Sequence, residues 1–286
     1  MAATAVVFAY HDVGVRCLKV LLDFDVHVLL VVTHRDDSRE KIWFASVAEF
    51  ALSRKIDVAF DPSVETLQQE LQSKRPDFIF SFYFRRMIPE DILKAAKNGA
   101  YNMHGSLLPK FRGRAPVNWA VLKGETETGA TLHEMTVKPD AGAIVGQERV
   151  PIGPDDLAVD VFRKVTGAAE KVLRSHLKSI LEGRANPRPQ DLSAGSYFGA
   201  RKPEDGRIDW NRPAQEIHNL VRAVAPPYPG AFSVFEGKAF RILRTKIEPA
   251  SKAPPSKAGP FKEGGQWWAV CGDGKVLRLL EVEFPA

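Results

Sequence analysis

Short apolar runs alternate with amphipathic stretches over the first third of the chain. Residues 4–10, 26–33 and 77–81 are apolar and rich in β-branched or aromatic side chains, which predicts buried strands. Helical spacing of apolar side chains predicts helices over residues 14–22, 43–55 and 64–73. Repeated strand–helix units predict an α/β domain with a mostly parallel, Rossmann-like sheet, in which ligands bind beyond the carboxyl ends of the strands.

The pattern changes in the second half of the chain. Apolar side chains recur at helical spacing over residues 155–183, which predicts one long helix whose start is capped by Asp155 and Asp156. The next residues, 183–196, are rich in proline and glycine, as linkers are. Beyond them we predict a helix over residues 213–224 and strands over residues 231–235, 239–247, 267–271 and 275–282.

These patterns predict three parts. Residues 1–190 form a catalytic α/β domain, residues 191–205 a linker, and residues 206–286 a small, OB-like β-barrel domain. The tripeptide Gly272-Asp273-Gly274 predicts a hairpin turn within the last part.

Composition narrows the class of protein. Of the 286 residues, 44% are hydrophobic and 26% are charged, as in ordinary globular proteins. The net charge of +5 suits an anionic ligand, but there is no long basic run, so nucleic-acid binding is not predicted. The longest apolar run, residues 26–32, is too short for a membrane helix, and the N-terminus lacks the basic segment of a secretory signal. We therefore expect a cytoplasmic protein without membrane insertion.

Several common cofactor motifs are absent. The first strand–helix turn contains only Gly14, so it lacks the glycine-rich fingerprint of dinucleotide-binding proteins. There is no P-loop, HExxH, CxxC or GxSxG motif, and Cys17 and Cys271 are too few for a thiolate metal site. We predict that neither a metal ion nor a nicotinamide is required.

His11 and Asp12 stand in the first strand–helix turn and indicate a capped turn more than a ligand site, although the free N–H groups at the helix start suit a phosphate.

The segment 99–116 carries the most informative pattern. Asn102 and His104 stand two residues apart at the end of a predicted strand, so their side chains point to the same side. The sequence that follows, HGSLLPKFRGRAP, has Gly, Pro and Arg at positions unlike those of a regular core strand. Asp140 lies in a Pro/Gly turn between two apolar strands, where a carboxylate can face a cleft.

These three motifs resemble those of the formyltransferases that use 10-formyltetrahydrofolate. The resemblance covers nearly the whole chain and implies an α/β formyl-transfer domain followed by a small β-barrel. It implies that Asn102, His104 and Asp140 are catalytic. An uncharged amide suits an oxyanion site, an imidazole can move a proton near neutral pH, and a carboxylate beside it fixes the ring's tautomer.

The resemblance also implies a binding surface for the folate cosubstrate. It would consist of one loop after the strand at residues 77–81, the segment that ends at the catalytic aspartate, and one arginine: Arg86, Met87, Ile88, Arg114, Thr136, Val137, Lys138, Pro139 and Asp140. A nucleotide diphosphate would meet the turn at residues 11–14 and an arginine, with Arg16, Arg112 and Arg201 left open as candidates.

Within the family, the motifs FSFYFRRMIP and RGRAPVNW look most like the branch that formylates UDP-4-amino-4-deoxy-L-arabinose. That resemblance implies a place in lipid A modification, a part of lipopolysaccharide biosynthesis linked to antibiotic resistance. Because the chain ends at Ala286, we expect the dehydrogenase-decarboxylase activity of the pathway to belong to a separate protein.

Three other functions compete with this interpretation. Methionyl-tRNA formyltransferase has the same fold and catalytic residues, but residues 33–43 form a short, nearly neutral connection that would make a poor phosphate clamp. A non-catalytic folate or nucleotide-sugar sensor is disfavoured because all three catalytic positions are filled. Phosphoribosylglycinamide formyltransferase normally lacks the C-terminal domain.

Overall fold

The computed structural model describes residues 2–37, 42–248 and 257–284. The chain forms two compact units, each assembled from several segments. The first consists of Met1–Gly113, Gly129–Val150 and Lys164–Tyr197, and the second of Arg114–Thr128, Pro151–Arg163 and Phe198–Ala286. The three consecutive parts predicted from the sequence, residues 1–190, 191–205 and 206–286, divide the chain along its sequence and not by contacts. That division stays a prediction.

Helices alternate with strands in the first part of the chain, and strands follow one another near its end. The strands are β1 (Thr4–Ala9), β2 (His27–Thr33), β3 (Val58–Phe60), β4 (Phe78–Phe82), β5 (Ala100–His104), β6 (Arg112–Gly113), β7 (Glu127–Glu134), β8 (Ile144–Pro151), β9 (Tyr197–Phe198), β10 (Ala231–Phe235), β11 (Lys238–Glu248), β12 (Gly259–Glu263), β13 (Gln266–Val270) and β14 (Val276–Glu283). The helices are α1 (His11–Asp23), α2 (Val47–Ser53), α3 (Val64–Lys74), α4 (Glu90–Leu93), α5 (Pro116–Leu122), α6 (Ala158–Leu181) and α7 (Ala214–Val224).

A seven-stranded sheet has the order β3-β2-β1-β4-β5-β7-β8. The strands from β3 to β5 are parallel, and β7 runs antiparallel to β5. Strands β1 and β4 are buried almost throughout, which explains why their sequences are continuous apolar runs rather than alternating ones. The α/β fold expected from the sequence is therefore confirmed, with a mixed sheet.

A five-stranded antiparallel sheet has the order β10-β11-β14-β13-β12 and forms the C-terminal half-barrel. The turn predicted at residues 272–274 joins its strands β13 and β14, and Gly274 adopts a left-handed φ of 74° there. In the same unit, the His218 ring on α7 lies 2.8 Å from the hydroxyl of Thr245 on β11. The predicted β-barrel-like domain is thus confirmed as an open half-barrel.

Several predicted element bounds are wrong. The helix expected over residues 43–55 begins only at Val47, because the Ser46 hydroxyl accepts the N–H of Glu49 and starts the helix there. The long helix begins at Ala158 and not at residue 155, and the Asp156 carboxylate instead accepts the N–H of Gly153 in the preceding turn. The short strands β3 and β12 were not expected from the sequence.

Both thiols of the chain, Cys17 and Cys271, are free and buried. None of the helices in the described ranges combines the length and apolar character that a membrane span requires.

Candidate active site

Asn102 and His133 form one half of a cluster of polar side chains on neighbouring strands. Strands β5 and β7 pair antiparallel, and their register places Asn102 directly opposite His133. The Asn102 amide nitrogen lies 3.1 Å from His133 Nε2. The other ring nitrogen, Nδ1, lies 2.7 Å from the carbonyl oxygen of Glu134. Because a carbonyl can only accept, Nδ1 carries the proton, and Nε2 accepts from the Asn102 amide.

His104 forms the other half of the cluster. It is the last residue of β5 and is only 6% exposed. Its Nε2 lies 2.8 Å from the carbonyl oxygen of Phe111, and its Nδ1 lies 3.4 Å from Asp140 Oδ1. Both ring nitrogens therefore face oxygen acceptors, and a ring with two protons can donate to both.

Asp140 stands between the two histidines. Its Oδ1 lies 3.4 Å from His104 Nδ1 and 3.7 Å from His133 Nε2, and its Oδ2 accepts the N–H of Gly113 at 2.9 Å. Burial would raise the pKa of Asp140, but the neighbouring His104 ring and the Gly113 N–H outweigh that effect. The pKa consequently lies well below its usual range, and the carboxylate stays charged.

Two glycines and a glutamine hold Asp140 in place. Gly113 donates to the carboxylate from a backbone with a φ of 97°, a conformation that favours glycine. A Cβ on Gly142 would lie 1.9 Å from the carbonyl oxygen of Glu134, so only glycine permits this close approach. The side-chain amide of Gln190 donates to the carbonyl oxygens of Asp140 and Gly142 at 3.0 Å and 2.6 Å.

The segment after His104 is fastened to the antiparallel part of the sheet. The Thr131 hydroxyl on β7 donates to the Ser106 carbonyl at 2.6 Å and accepts the N–H of Leu108 at 3.1 Å. Gln147 on β8 donates to both Leu108 and Thr131. These contacts hold Ser106 and Leu108, and the Ser106 hydroxyl in turn donates to the carbonyl oxygen of Lys110, next to the Phe111 carbonyl that faces His104.

The three predicted folate residues after β4 lie on one loop. Ile88 packs against the core around Val6 and Phe8, whereas Met87 is 62% exposed. The Arg86 guanidinium lies 2.9 Å from the Asp61 carboxylate. The loop thus exposes residues 85–87 between two half-buried residues, Phe84 and Ile88.

The predicted folate residues 136–140 lie in the turn between β7 and β8, where residues 136–138 are exposed and Pro139 and Asp140 are less so. The Thr136 hydroxyl donates to the carbonyl oxygen of Lys138 at 3.0 Å, Val137 is 62% exposed, and Pro139 has no N–H to offer. Arg114 belongs to the second unit, where its N–H donates to the carbonyl oxygen of Phe198 at 2.9 Å. The folate contacts of these residues stay a prediction.

The turn at the start of α1 is built mainly for packing. The His11 ring stacks on Phe44 with centroids 3.8 Å apart, and burial followed by the charge of Arg85 lowers the pKa of His11 to about 3. The Asp12 carboxylate accepts the N–H of Ala45 at 2.8 Å. The capped turn expected from the sequence is wrong, because α1 begins at His11 without a side-chain hydrogen bond at its N-cap, Tyr10.

Three arginines were candidates for a diphosphate, and the structure places each differently. Arg16 pairs with Glu170 at 3.3 Å, Arg112 is only 9% exposed, and Arg201 lies over the Trp119 ring in the second unit. Sequence reasoning missed Arg85, whose guanidinium lies 4.7 Å from the centre of the Tyr10 ring, beside the start of α1.

Sequence reasoning also missed His133 and Gln190. His133 stands seven residues before Asp140 in an apolar strand, where it looks like an ordinary core histidine. Only the pairing of β5 with β7 shows that it touches Asn102. Within the described ranges there is no group of three or more His, Cys, Asp or Glu side chains arranged to hold a metal ion.

Comparison with known proteins adds to this geometry. The family model "Formyl transferase" matches residues 15–177, and the model "Formyl transferase, C-terminal domain" matches residues 201–286. A solved N-formyltransferase from Helicobacter canadensis, in complex with folinic acid and dTDP-3-aminofucose, is 20% identical with a TM-score of 0.77, over 98% of this chain and 99% of that one.

Two other solved structures are similar in fold. WlaRD, a sugar 3N-formyltransferase solved in the presence of dTDP and 5-N-formyl-THF, is 19% identical with a TM-score of 0.76, over 98% of both chains. Glycinamide ribonucleotide transformylase 1 from Symbiobacterium toebii is 24% identical with a TM-score of 0.57, over 66% of this chain and 95% of that one.

Proposed function

The chain belongs to the formyl transferase family, and from this premise we propose that it transfers a formyl group from 10-formyltetrahydrofolate to the amine of a nucleotide-linked amino sugar. One observation carries the proposal. An amide donor, an imidazole and a buried carboxylate lie on or next to the paired strands β5 and β7. His104 lies 3.4 Å from Asp140, and His133 lies between Asn102 and Asp140, 3.1 Å from the former and 3.7 Å from the latter. Acyl transfer is accelerated by an oxyanion donor and by a group that moves the proton, and these residues can supply both.

Asn102 stabilises the charge that develops during transfer. When the amine attacks the formyl carbon, a new C–N bond forms and the carbonyl oxygen becomes an oxyanion. The Asn102 amide has two N–H groups, of which His133 Nε2 accepts one and leaves the other for that oxygen. Such a donor costs no reorganisation, because its orientation is set beforehand.

His104 moves the proton. The attacking amine must lose a proton, and the folate nitrogen must gain one when its bond to the formyl carbon breaks. Nδ1 of His104 keeps its contact with Asp140. Nε2 leaves the carbonyl oxygen of Phe111 and contacts the nitrogen that loses or gains the proton. The charged Asp140 stabilises the protonated ring formed in between. The net reaction yields a formamide and tetrahydrofolate, so atoms and charge balance.

The identity of the sugar nucleotide rests on two kinds of support. The sequence motifs resemble enzymes of UDP-4-amino-4-deoxy-L-arabinose, which makes a UDP sugar and lipid A modification our expectation. The two similar sugar formyltransferases were instead solved with dTDP or a dTDP sugar. The short connection that argued against tRNA lies partly outside the described residues, at positions 38–41.

A side-by-side assay tests the proposal. The purified protein is incubated with 10-formyltetrahydrofolate and, in parallel, UDP-4-amino-4-deoxy-L-arabinose, dTDP-3-amino and dTDP-4-amino sugars, and methionyl-tRNA. Release of tetrahydrofolate is followed and the products are weighed by mass spectrometry. We expect the highest kcat/KM with the UDP sugar. Faster formylation of methionyl-tRNA than of every sugar would overturn the sugar assignment.

A further inference from the structure

A buried histidine connects three strand ends in the parallel half of the sheet. His34 follows β2, and its Nδ1 lies 2.8 Å from Oδ1 of Asp61, which follows β3. On the other side, His34 Nε2 lies 3.1 Å from the backbone nitrogen of Arg85, which follows β4. The imidazole therefore reaches past the end of β1, which lies between β2 and β4 in the sheet.

The contacts of His34 determine which ring nitrogen carries the proton and how the ring is packed. The Arg85 N–H can only donate, so Nε2 accepts, and Nδ1 carries the proton that it donates to Asp61. The ring stacks on Phe84 with centroids 4.2 Å apart and meets the edge of Tyr10 at 5.5 Å. The side chain is 9% exposed, so neighbours hold the imidazole on its faces and at both nitrogens.

Asp61 connects the same loop a second time. Its Oδ1 also lies 2.9 Å from the Arg86 guanidinium, and its Oδ2 accepts the N–H of Arg35 at 3.1 Å. Since the Arg86 side chain is 57% exposed, solvent screens this ion pair and leaves it weak. The hydrogen bond to the Arg85 backbone is made by His34, whose side chain is only 9% exposed.

The loop after β4 is held at its ends by packing and in its middle by this pair. Phe84 and Ile88 pack against the core of the first unit, while Met87 between them is 62% exposed. His34 and Asp61 hold the backbone of Arg85 and the side chain of Arg86, and the Arg85 guanidinium also covers Tyr10.

We propose that His34 and Asp61 are positioning residues that hold residues 84–88 in the conformation that receives the folate cosubstrate. The inference rests on the proposed function, because residues 86–88 are folate-binding only by that proposal. The pair has no direct part in the chemistry. Two strands, β1 and β4, separate β2 from the catalytic strand β5, a distance of about 14 Å at the usual strand spacing.

Kinetics test the inference with three variants and one control. His34→Ala removes the acceptor for the Arg85 N–H, His34→Gln offers an amide oxygen in its place, and Asp61→Asn removes the charge beside Arg86. The control is His27→Ala, an exposed histidine at the other end of the same strand β2. We expect His34→Ala to raise the KM for 10-formyltetrahydrofolate about tenfold with kcat within about threefold of wild type.

The KM values of the other variants distinguish a positioning role from a general loss of structure. Asp61→Asn and His34→Gln should raise the folate KM less than His34→Ala does, and the KM for the sugar nucleotide should not change in any of them. A fall in kcat at unchanged folate KM, or an equal rise in both KM values, would overturn the inference. If circular dichroism shows that His34→Ala is unfolded, the same KM and kcat values are compared for His34→Gln and Asp61→Asn.

A measurement without substrate separates this inference from the proposed function. Trypsin cleavage after Arg85 and Arg86, followed by mass spectrometry under native conditions, reports how well the loop is held. We expect faster cleavage at these two sites in His34→Ala than in wild type or His27→Ala. Unchanged cleavage would overturn the inference even in an active enzyme. A wild-type protein that transfers no formyl group would overturn the proposed function and the folate role, whatever the cleavage shows.

Discussion

Asn102 and His133 lie directly opposite each other on the antiparallel strands β5 and β7, with the Asn102 amide nitrogen 3.1 Å from His133 Nε2. The His133 ring is 2% exposed, and Nδ1 is held by the Glu134 carbonyl. An asparagine amide can rotate by half a turn and exchange its nitrogen and oxygen. The acceptor at His133 excludes the flipped state, since two acceptors would then face each other.

His133 should therefore matter for the rate more than for binding. We expect His133→Phe, which keeps the ring shape but removes the acceptor, to lower kcat at least tenfold with a folate KM within about threefold of wild type. The physical reason is that the Asn102 amide loses the partner that fixes its orientation. Steady-state kinetics at saturating sugar nucleotide check this expectation.

His176 offers a control for the His133 variant. It is a half-buried histidine on α6 whose Nδ1 lies 2.9 Å from the Val172 carbonyl in its own helix. His176→Phe should leave kcat unchanged. A similar loss of kcat in both variants would show that the effect reflects general packing.

Asn102 and His104 should be the residues whose loss costs most. Asn102→Ala removes the proposed oxyanion donor and should lower kcat about 10²–10³-fold. His104→Ala removes proton transfer and should lower kcat about 10²–10⁴-fold. Tetrahydrofolate release measures turnover, and folate binding by fluorescence titration should persist in both variants. Turnover near that of wild type in either variant would contradict its catalytic role.

Asp140→Asn should change the pH dependence of turnover. Burial raises the pKa of Asp140, but the His104 ring and the Gly113 N–H lower it further, so the carboxylate stays charged as the pH falls. The acid limb of the wild-type pH–rate profile must then come from another group. Because asparagine cannot stabilise a protonated ring beside it, that limb should move to lower pH in the variant, together with a loss of rate. An unmoved limb would argue against the pairing with His104.

Much of the site could be predicted because its elements are local in sequence. The apolar runs predicted β1, β2 and β4, since strands buried on both faces need continuous apolar sequence. Asn102 and His104 share one side of a strand end, and the resemblance of their motif to the formyltransferases identified them as candidates. The left-handed φ of 97° at Gly113 gives the physical reason for a glycine in the RGRAP motif.

The remaining relationships depend on contacts between distant residues. His133 is 31 positions from Asn102, and His34 is 27 positions from Asp61. Neither pair has a local pattern, because each forms only when particular strands become neighbours. Strand β3 has three residues and β12 contains glycine, proline and charged side chains, so neither carries a periodic apolar signal.

Turnover should not depend on a metal ion. The sequence lacks the common metal-binding motifs, and the proposed reaction needs only a proton carrier and an oxyanion donor. We expect activity to persist after dialysis against EDTA, measured as tetrahydrofolate release. Loss of activity on chelation followed by recovery with zinc would refute this prediction.

Gly142→Ala should destabilise the protein and disturb Asp140. A Cβ at this position would lie 1.9 Å from the Glu134 carbonyl oxygen and 2.7 Å from its carbon, so the backbone of β7 or of the turn must shift. Forcing an extra carbon into such a contact typically costs about 1–3 kcal/mol. Urea unfolding should show that loss, and kcat should fall with it, because the same turn carries Asp140 and is held by Gln190.

Gly167→Ala is the matched control for that substitution. Gly167 lies within helix α6, and apart from its chain neighbours and the backbone of its own helix a Cβ there would have no heavy atom within 4 Å. The same change of side chain should therefore stabilise the protein by about 0.5–1 kcal/mol, because alanine favours the helix, and leave kcat unchanged. A loss of unfolding free energy in Gly142→Ala together with a gain in Gly167→Ala would show that the close approach of the turn to Glu134 causes the loss. A Gly142→Ala variant as stable and active as wild type would rule out that role for the contact.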